Sequence, residues 1–152
     1  MWTICAEPVD GPDAVSLLRD YFAELTVRYF HRATTEQEID LSLEEFPSAG
    51  LALFLLLRAD GAPAGCIGLH PTGELTRMYV APPFRRSGGA RALLSEVESW
   101  ARGQGIRRLF LDTRTDLVEA RAFYAACGFV EIPPPTATSA LFQDHWFEKY
   151  LT

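Results

Sequence analysis

The sequence predicts an α+β fold in which helices cover a mixed, mostly antiparallel central sheet. Short apolar runs between turn residues predict strands, and segments whose apolar residues recur every three or four positions predict helices. Along the chain these segments follow the order strand, two helices, three strands, helix, strand, helix and two strands. This order is not a pure βαβ alternation, so we expect one layered domain over residues 1–152.

The first third of the chain is predicted to be mostly helical. Residues 3–7 alternate enough for a short opening strand. Pro12 lies just inside a helix that we expect to run to about Leu25. Thr34 or Thr35 can cap a second helix, which should end before the next proline.

Three strands follow, and the first two are expected to form a hairpin. Residues 51–58 and 64–70 are apolar runs on either side of Asp60-Gly61, a pair of residues that favours a tight turn. Residues 73–80 then predict a third strand.

The next helix is predicted from an apolar repeat beyond two consecutive prolines. Its repeat consists of Ala92, Leu93, Leu94, Val97 and Trp100. Gly103 and Gly105 are placed to end this helix, and residues 109–111 predict a buried strand after it.

The last part of the chain predicts one more helix and two strands. The helix covers residues 118–127, and we expect it to face the sheet through Ala122, Phe123 and Ala126. Strands at 129–132 and 146–151 flank a proline-rich surface loop at 133–139.

Composition excludes several classes of protein. The net charge of −6 and the pI near 5.0 disfavour general binding to nucleic acid or to acidic membranes, because both require clustered positive charge. The longest apolar run, residues 51–57, is too short to span a bilayer, and no secretory signal precedes it, so we expect a cytoplasmic protein. The isolated Cys5, Cys66 and Cys127 predict neither disulfides nor a metal site, and burial as small apolar residues is their expected role.

The segment with the most chemical information is a glycine-rich turn between a strand and a helix. It consists of Arg85, Arg86, Ser87, Gly88, Gly89, Ala90 and Arg91. Unpaired N–H groups at the start of a helix favour a diphosphate, small residues allow its close approach, and arginines add charged donors. The turn lacks the Lys-Ser or Lys-Thr pair of a Walker loop. It also follows the fourth predicted strand, whereas a dinucleotide-binding fold has its glycine-rich turn near the first strand.

This segment resembles the GNAT superfamily of acyl-CoA-dependent N-acyltransferases. Arg85, Gly88 and Ala90 match the family's turn motif, residues 75–80 and 109–113 resemble its fourth and fifth strands, and residues 120–129 resemble its terminal helix. The resemblance implies acetyl-CoA as co-substrate, with no metal, and an amine acceptor. Leu117 departs from the family pattern, since many members carry Asn at that position.

The resemblance also implies roles for individual residues. Met78, Tyr79 and Val80 would present backbone groups to the pantetheine arm at a bulge where two strands separate, with the Val80 N–H polarising the thioester carbonyl. Glu74 would act as the base for the amine, and Tyr124 as the acid that protonates the departing thiolate. Alternatively, Glu74 is a surface carboxylate and a water relay removes the proton, and Tyr124 is an aromatic residue of the core.

The acceptor is expected to be a small molecule or an amino acid with a primary amine. Its site should be formed by the loop between the first two helices, with residues 29–32, and by the loop before the last strand, with residues 143–146 in or near it. Glu24 or Asp144 could pair with a cationic amine. A non-catalytic acyl-CoA sensor and an acetyltransferase for protein N-termini or lysines are the alternatives. The fold also allows a homodimer that pairs final strands.

Overall fold

The structure is a computed structural model that describes residues 1–45, 47–114, 117–134 and 144–152, without the side chains of Tyr29 and Asp144. The described elements follow the predicted order. They are β1 (Trp2–Ala6), α1 (Pro12–Phe30), α2 (Glu36–Glu45), β2 (Leu53–Ala59), β3 (Ala62–Leu69), β4 (Leu75–Val80), α3 (Gly89–Gly103), β5 (Arg108–Arg114), α4 (Val118–Ala126), β6 (Val130–Ile132) and β7 (Asp144–Tyr150).

The strands form two antiparallel sheets. One has the order β1-β2-β3-β4 and the other the order β5-β7-β6. Within the described residues they meet at a single parallel bridge between Glu74 and Phe110, where the Phe110 N–H donates to the Gly73 carbonyl at 3.1 Å. The predicted mixed, mostly antiparallel sheet is confirmed, but beyond this bridge the described residues of β4 and β5 are not paired.

Helices pack on both faces of the first sheet. Residues of β2 alternate between the two faces, and all five from Leu53 to Leu57 are buried, which explains their continuous apolar run. On one face the core includes Leu57, Leu93 and Val97 under α3, and on the other it includes Leu17 and Leu56 under α1.

Helix α1 is longer than predicted. It continues five residues beyond Leu25 to Phe30 and ends at His31, which has a left-handed φ of 57°. No glycine or proline interrupts this stretch, and Thr26 bonds back to the Phe22 carbonyl at 2.9 Å. The helix therefore continues until the left-handed His31 because no residue type that ends a helix occurs before it.

Helix α2 begins with a reciprocal cap. The Glu38 N–H donates to Thr35 Oγ1 at 3.2 Å, and the Thr35 N–H donates to Glu38 Oε1 at 3.1 Å. Of the two predicted caps, Thr35 is the one used.

Two predictions about burial are wrong. On α4 the buried side chain is Tyr124, whereas Ala122 and Ala126 are exposed and Phe123 is partly buried. The inward face is thus shifted from the predicted one, because alanines fit either face of a short helix. Cys66 is buried as predicted, but Cys5 is exposed and Cys127 only half-buried.

Strand β7 is the central strand of the second sheet and also contacts the helices. Lys149 Nζ donates to Glu98 Oε2 on α3 and to the Cys127 carbonyl at the end of α4, both at 2.9 Å. Among the described residues, no helix is both long and apolar enough to cross a membrane.

Candidate active site

The site begins at a bulge in β4. Cys66 pairs with Tyr79 and Gly68 with Thr76, so Ile67 alone opposes Arg77 and Met78. Arg77 adopts a left-handed φ of 57°, which costs a residue with a side chain about 1–2 kcal/mol. The extra residue resets the alternation of the strand, so that Met78 and Val80 pack toward α3 while Tyr79 packs toward α1.

The edge of β4 that faces away from β3 carries backbone groups of Val80. The Ala81 N–H donates to the Ala64 carbonyl at 2.8 Å, which makes the adjacent pair, Gly65 and Val80, non-hydrogen-bonded. The N–H and C=O of Val80 consequently point away from β3, into the cleft between β4 and β5. Tyr79 belongs to the next, hydrogen-bonded pair, so its backbone points toward β3 instead.

The glycine-rich turn leads directly into α3. Gly88 lies at the N-cap with φ of 89°, and no described side chain caps the helix there. The first helical hydrogen bond runs from the Ala92 N–H to the Gly88 carbonyl, so the N–H groups of residues 89–91 precede the helical ladder. Three backbone donors at the positive end of a helix suit an anionic ligand.

The two glycines of the turn serve different purposes. Gly88 has open space around it and needs only its backbone conformation. Gly89 is buried, and a Cβ there would lie 2.7 Å from Leu57 Cδ2. Gly89 therefore allows α3 to pack closely on the sheet, a reason that differs from the predicted close approach of a diphosphate.

The arginines of the turn differ in their contacts. Arg85 Nε donates to the Val80 carbonyl at 2.6 Å, and its Nη2 donates to Glu24 on α1 at 2.7 Å. Arg86 and Arg91 are exposed at the turn. Arg85 thus joins α1 to the cleft edge of β4, while Arg86 and Arg91 are better placed to meet an anion.

Glu74 lies just before β4, at the bridge where the two sheets meet. Its side chain is half-buried, and burial raises its pKa, with a further increase from the nearby carboxylate of Asp112 on β5. Four residues separate it from Met78, about 13 Å of strand. Glu74 is therefore a carboxyl with raised pKa at the closed end of the cleft.

Tyr124 lies inside an aromatic cluster. Its ring packs edge-on against Phe123 and Phe129, with centroids 5.2 and 5.5 Å away. Burial, and to a lesser extent Tyr21, raises its pKa well above the ordinary value, so the phenol keeps its proton.

Sequence reasoning missed Tyr21 and Asp112. Tyr21 on α1 interacts with the backbone of Arg77 and with Asp112, and burial raises its pKa to about 12. Tyr21 belongs to no motif. Asp112 lies in the segment 109–113 that resembles the family's fifth strand, but no role was inferred for it, and both residues meet the site only through the packing of distant elements.

Most of the predicted acceptor residues lie in a helix or a strand rather than in loops. Tyr29 and Phe30 belong to α1 rather than to a loop, and Gln143 lies outside the described residues. His145 is on β7, with Nδ1 2.9 Å from Glu131 Oε2 on β6. Glu24, a predicted partner for a cationic amine, is already paired with Arg85.

A bulge, two separating strands and an uncapped glycine-rich helix start are thus found together. The model of the Acetyltransferase (GNAT) family matches residues 15–129. The chain belongs to this family. In this GNAT chain the bulge lies within residues 75–80 and the turn within residues 85–90, two of the segments that resemble the family.

Individual relatives agree with this assignment. The chain is 38% identical over 92 residues to an aminoglycoside N(6')-acetyltransferase type 1 of Stenotrophomonas maltophilia, covering 53% of this chain and 60% of that one. It is 39% identical over 72 residues to an amino-acid acetyltransferase of Ralstonia nicotianae, covering 43% and 16%. The GNAT chain therefore spans less than two thirds of these relatives.

A solved structure shares the fold over nearly the full length. The PaiA N-acetyltransferase of Thermoplasma acidophilum, solved in complex with coenzyme A, superposes with a TM-score of 0.74 at 20% identity. The alignment covers 99% of each chain.

Proposed function

We propose that this protein transfers the acetyl group of acetyl-CoA directly to a primary amine of a small molecule or amino acid. The observation that carries the proposal is the cleft between β4 and β5, in which the outward backbone of Val80 and the uncapped start of α3 lie along one edge. Membership of the GNAT family and relatives named as acetyltransferases of aminoglycosides and amino acids support it.

The coenzyme would be held by main-chain groups. Its diphosphate would accept hydrogen bonds at the turn formed by Ser87, Gly88, Gly89 and Ala90, with Arg86 and Arg91 adding charge. Its pantetheine arm would run beside Met78 and Val80. Tyr79 and Arg85 would support this edge through their side chains, because Arg85 bonds to the Val80 carbonyl and stacks over the Tyr79 ring at 5.6 Å.

Three groups would carry the chemistry. Glu74 would take up a proton from the ammonium form of the acceptor, through water because about 13 Å of strand separates it from Met78. The Val80 N–H would donate to the thioester oxygen as that oxygen gains charge, an interaction of about 3 kcal/mol in comparable sites. As the N–C bond forms and the C–S bond breaks, Tyr124 would protonate the departing thiolate and recover a proton from the acetylated nitrogen.

The acceptor would be recognised as a cation. Glu74 and Asp112 place two carboxyl groups at the closed end of the cleft, and the pKa of Glu74 rises partly because of Asp112. A positively charged amine would offset their mutual repulsion, which favours a small amine over an acidic or neutral acceptor.

The proposal is tested by following thiol release from acetyl-CoA with a panel of aminoglycosides, polyamines, amino acids and peptides. We expect release that depends on a small cationic amine, and mass spectrometry should find the acetyl group on that amine. Binding of coenzyme A without turnover on any acceptor would support a sensor instead. Turnover confined to peptides would support a protein acetyltransferase. Sedimentation of the same preparation would test the predicted homodimer.

A further inference from the structure

The strained residue of the β4 bulge is held by side chains from two other elements. Arg77 has a left-handed φ of 57°, a conformation that residues with a side chain rarely adopt unless the surroundings fix it. Its carbonyl accepts a hydrogen bond from Cys66 on β3, and Tyr21 on α1 lies close enough for Arg77 to affect the pKa of its phenol.

Cys66 holds the carbonyl side of the bulge. Its thiol donates to the Arg77 carbonyl with Sγ 3.2 Å from the oxygen, and the side chain is 0% exposed. Burial raises the pKa of this thiol to about 12, so it keeps the proton that it donates. The thiol is therefore suited to a fixed hydrogen bond and not to nucleophilic chemistry.

Tyr21 packs beside the bulge from α1. Burial raises the pKa of its phenol to about 12 against the opposing effect of the charge and backbone of Arg77, so the phenol lies beside the strained residue and keeps its proton. The ring is itself fixed by edge-on contacts with Phe22 at 5.1 Å and Tyr79 at 6.5 Å. The tyrosine thus connects α1 to the strained residue through a rigid aromatic group.

The side chain of Arg77 reinforces the same conformation. Its Nε donates to Ser48 Oγ at 3.2 Å, its Nη1 donates to Thr76 Oγ1 at 2.7 Å, and the guanidinium lies 5.2 Å from the Phe22 ring centroid. These contacts anchor the bulge on the α1 side of the sheet, opposite the face that Met78 and Val80 contact.

We infer that Tyr21 and Cys66 are positioning residues for the coenzyme. By fixing Arg77 in its left-handed conformation they set the alternation of β4, and this directs the backbone of Val80 into the cleft. Neither residue needs to touch the coenzyme. The inference rests on the proposed function, because it concerns the edge that would receive the pantetheine arm.

The test compares two ligands on the full-length protein. Isothermal titration gives the affinity for coenzyme A and for its phosphorylated ADP half, which lacks the pantetheine arm. We expect Tyr21→Phe and Cys66→Ala to weaken coenzyme A by about two- to tenfold, the range for one lost polar contact. The ADP half should bind as in the wild type, because the turn at α3 is unchanged.

Conservative variants separate positioning from packing. Cys66→Ser keeps a donor toward the Arg77 carbonyl and should bind coenzyme A better than Cys66→Ala does. If the thiol only fills space, serine should instead be the worse of the two, since it buries a hydroxyl. The matched controls are Cys5→Ala and Tyr150→Phe. Cys5 lies two strands from Cys66 in the same cross-strand row, and Tyr150 is exposed. Neither control should change the affinity for coenzyme A or for its ADP half.

The outcomes distinguish this inference from the function on which it rests. Wild-type protein that binds no coenzyme A would overturn the proposed function and this inference together. Wild-type binding that is unchanged in Tyr21→Phe and Cys66→Ala would overturn the inference alone, as would an equal loss of both ligands. If Tyr21→Phe fails to fold, the order of the Cys66 variants decides.

Discussion

A methyl group at Gly65 is expected to damage the cleft more than the fold. The Cβ of alanine there would lie 2.5 Å from the Tyr79 carbonyl oxygen on β4, whereas ordinary contacts begin at 3.4 Å. The two atoms must therefore separate by 3.4 − 2.5, or about 0.9 Å, and because the oxygen belongs to the backbone of β4, we expect this strand to shift away from β3. Because the cleft lies on the other side of β4, this displacement moves the Val80 backbone toward the coenzyme.

The two consequences have different sizes. Overpacking of this kind costs about 1–3 kcal/mol of folding free energy, or roughly 3–9 °C in Tm for a chain of this length. A displacement near 1 Å at a reacting centre can cost about a hundredfold in rate, so kcat/KM should fall by about that factor.

The control is the same substitution on α3. A methyl group added at Gly103 would have no described atom within 4 Å, so Gly103→Ala should raise stability by about 0.4–1 kcal/mol and leave kcat/KM unchanged. Thermal melting and steady-state rates on both variants check this. The reasoning is refuted if Gly65→Ala keeps kcat/KM within a few fold of wild type while remaining folded.

Three further predictions concern ionisable groups. Tyr124→Phe should lower kcat by a factor of about 10²–10⁴ without changing the Kd of coenzyme A. Steady-state rates and titration check this. A smaller loss of kcat would mean that Tyr124 is an aromatic residue of the core and not the acid. Burial and Asp112 raise the pKa of Glu74, so kcat/KM should fall as the pH drops through a pKa above that of an ordinary glutamate. Glu74→Gln should lower the rate and remove this acidic limb from the pH profile of kcat/KM. If the acidic limb persists in the variant, another group is the base. Arg32 holds the pKa of Glu38 at about 2 in the fold, so the stability from this carboxylate is present above its unfolded pKa and lost as pH falls toward 2. Glu38→Gln, which keeps the cap, should melt below wild type at neutral pH, and the difference should vanish near pH 2; a difference that does not depend on pH would contradict this.

The parts of the fold that were predictable are those with local signals. Asp60-Gly61 indicated the hairpin, Thr35 the start of α2, and Gly88 the turn before α3, because each residue type is suited to the backbone at that position. The length of α1 was underestimated because no glycine or proline follows Leu25, and the helix ends only at His31, whose left-handed conformation its residue type does not announce.

The candidate site was predictable where it coincides with a motif and not where it depends on distant contacts. The turn at residues 85–91 and Tyr124 could be proposed from their neighbours in sequence. The supports of the bulge could not, since Tyr21 and Cys66 lie 56 and 11 positions from Arg77 and reach it only in the folded chain. Likewise, nothing local to Arg77 announces a left-handed conformation, because arginine seldom adopts one.

The central place of β7 in its sheet constrains how the protein is made. Strand β5 forms one wall of the cleft, yet in the described part of the chain its only sheet neighbour of more than one residue pair is β7, which the ribosome synthesises about thirty residues later. The first sheet can assemble while translation continues, but β5 cannot pair with β7 until residues 144–150 have been synthesised. A nascent chain interrupted before that point would leave the apolar side of β5 exposed and one wall of the cleft unformed.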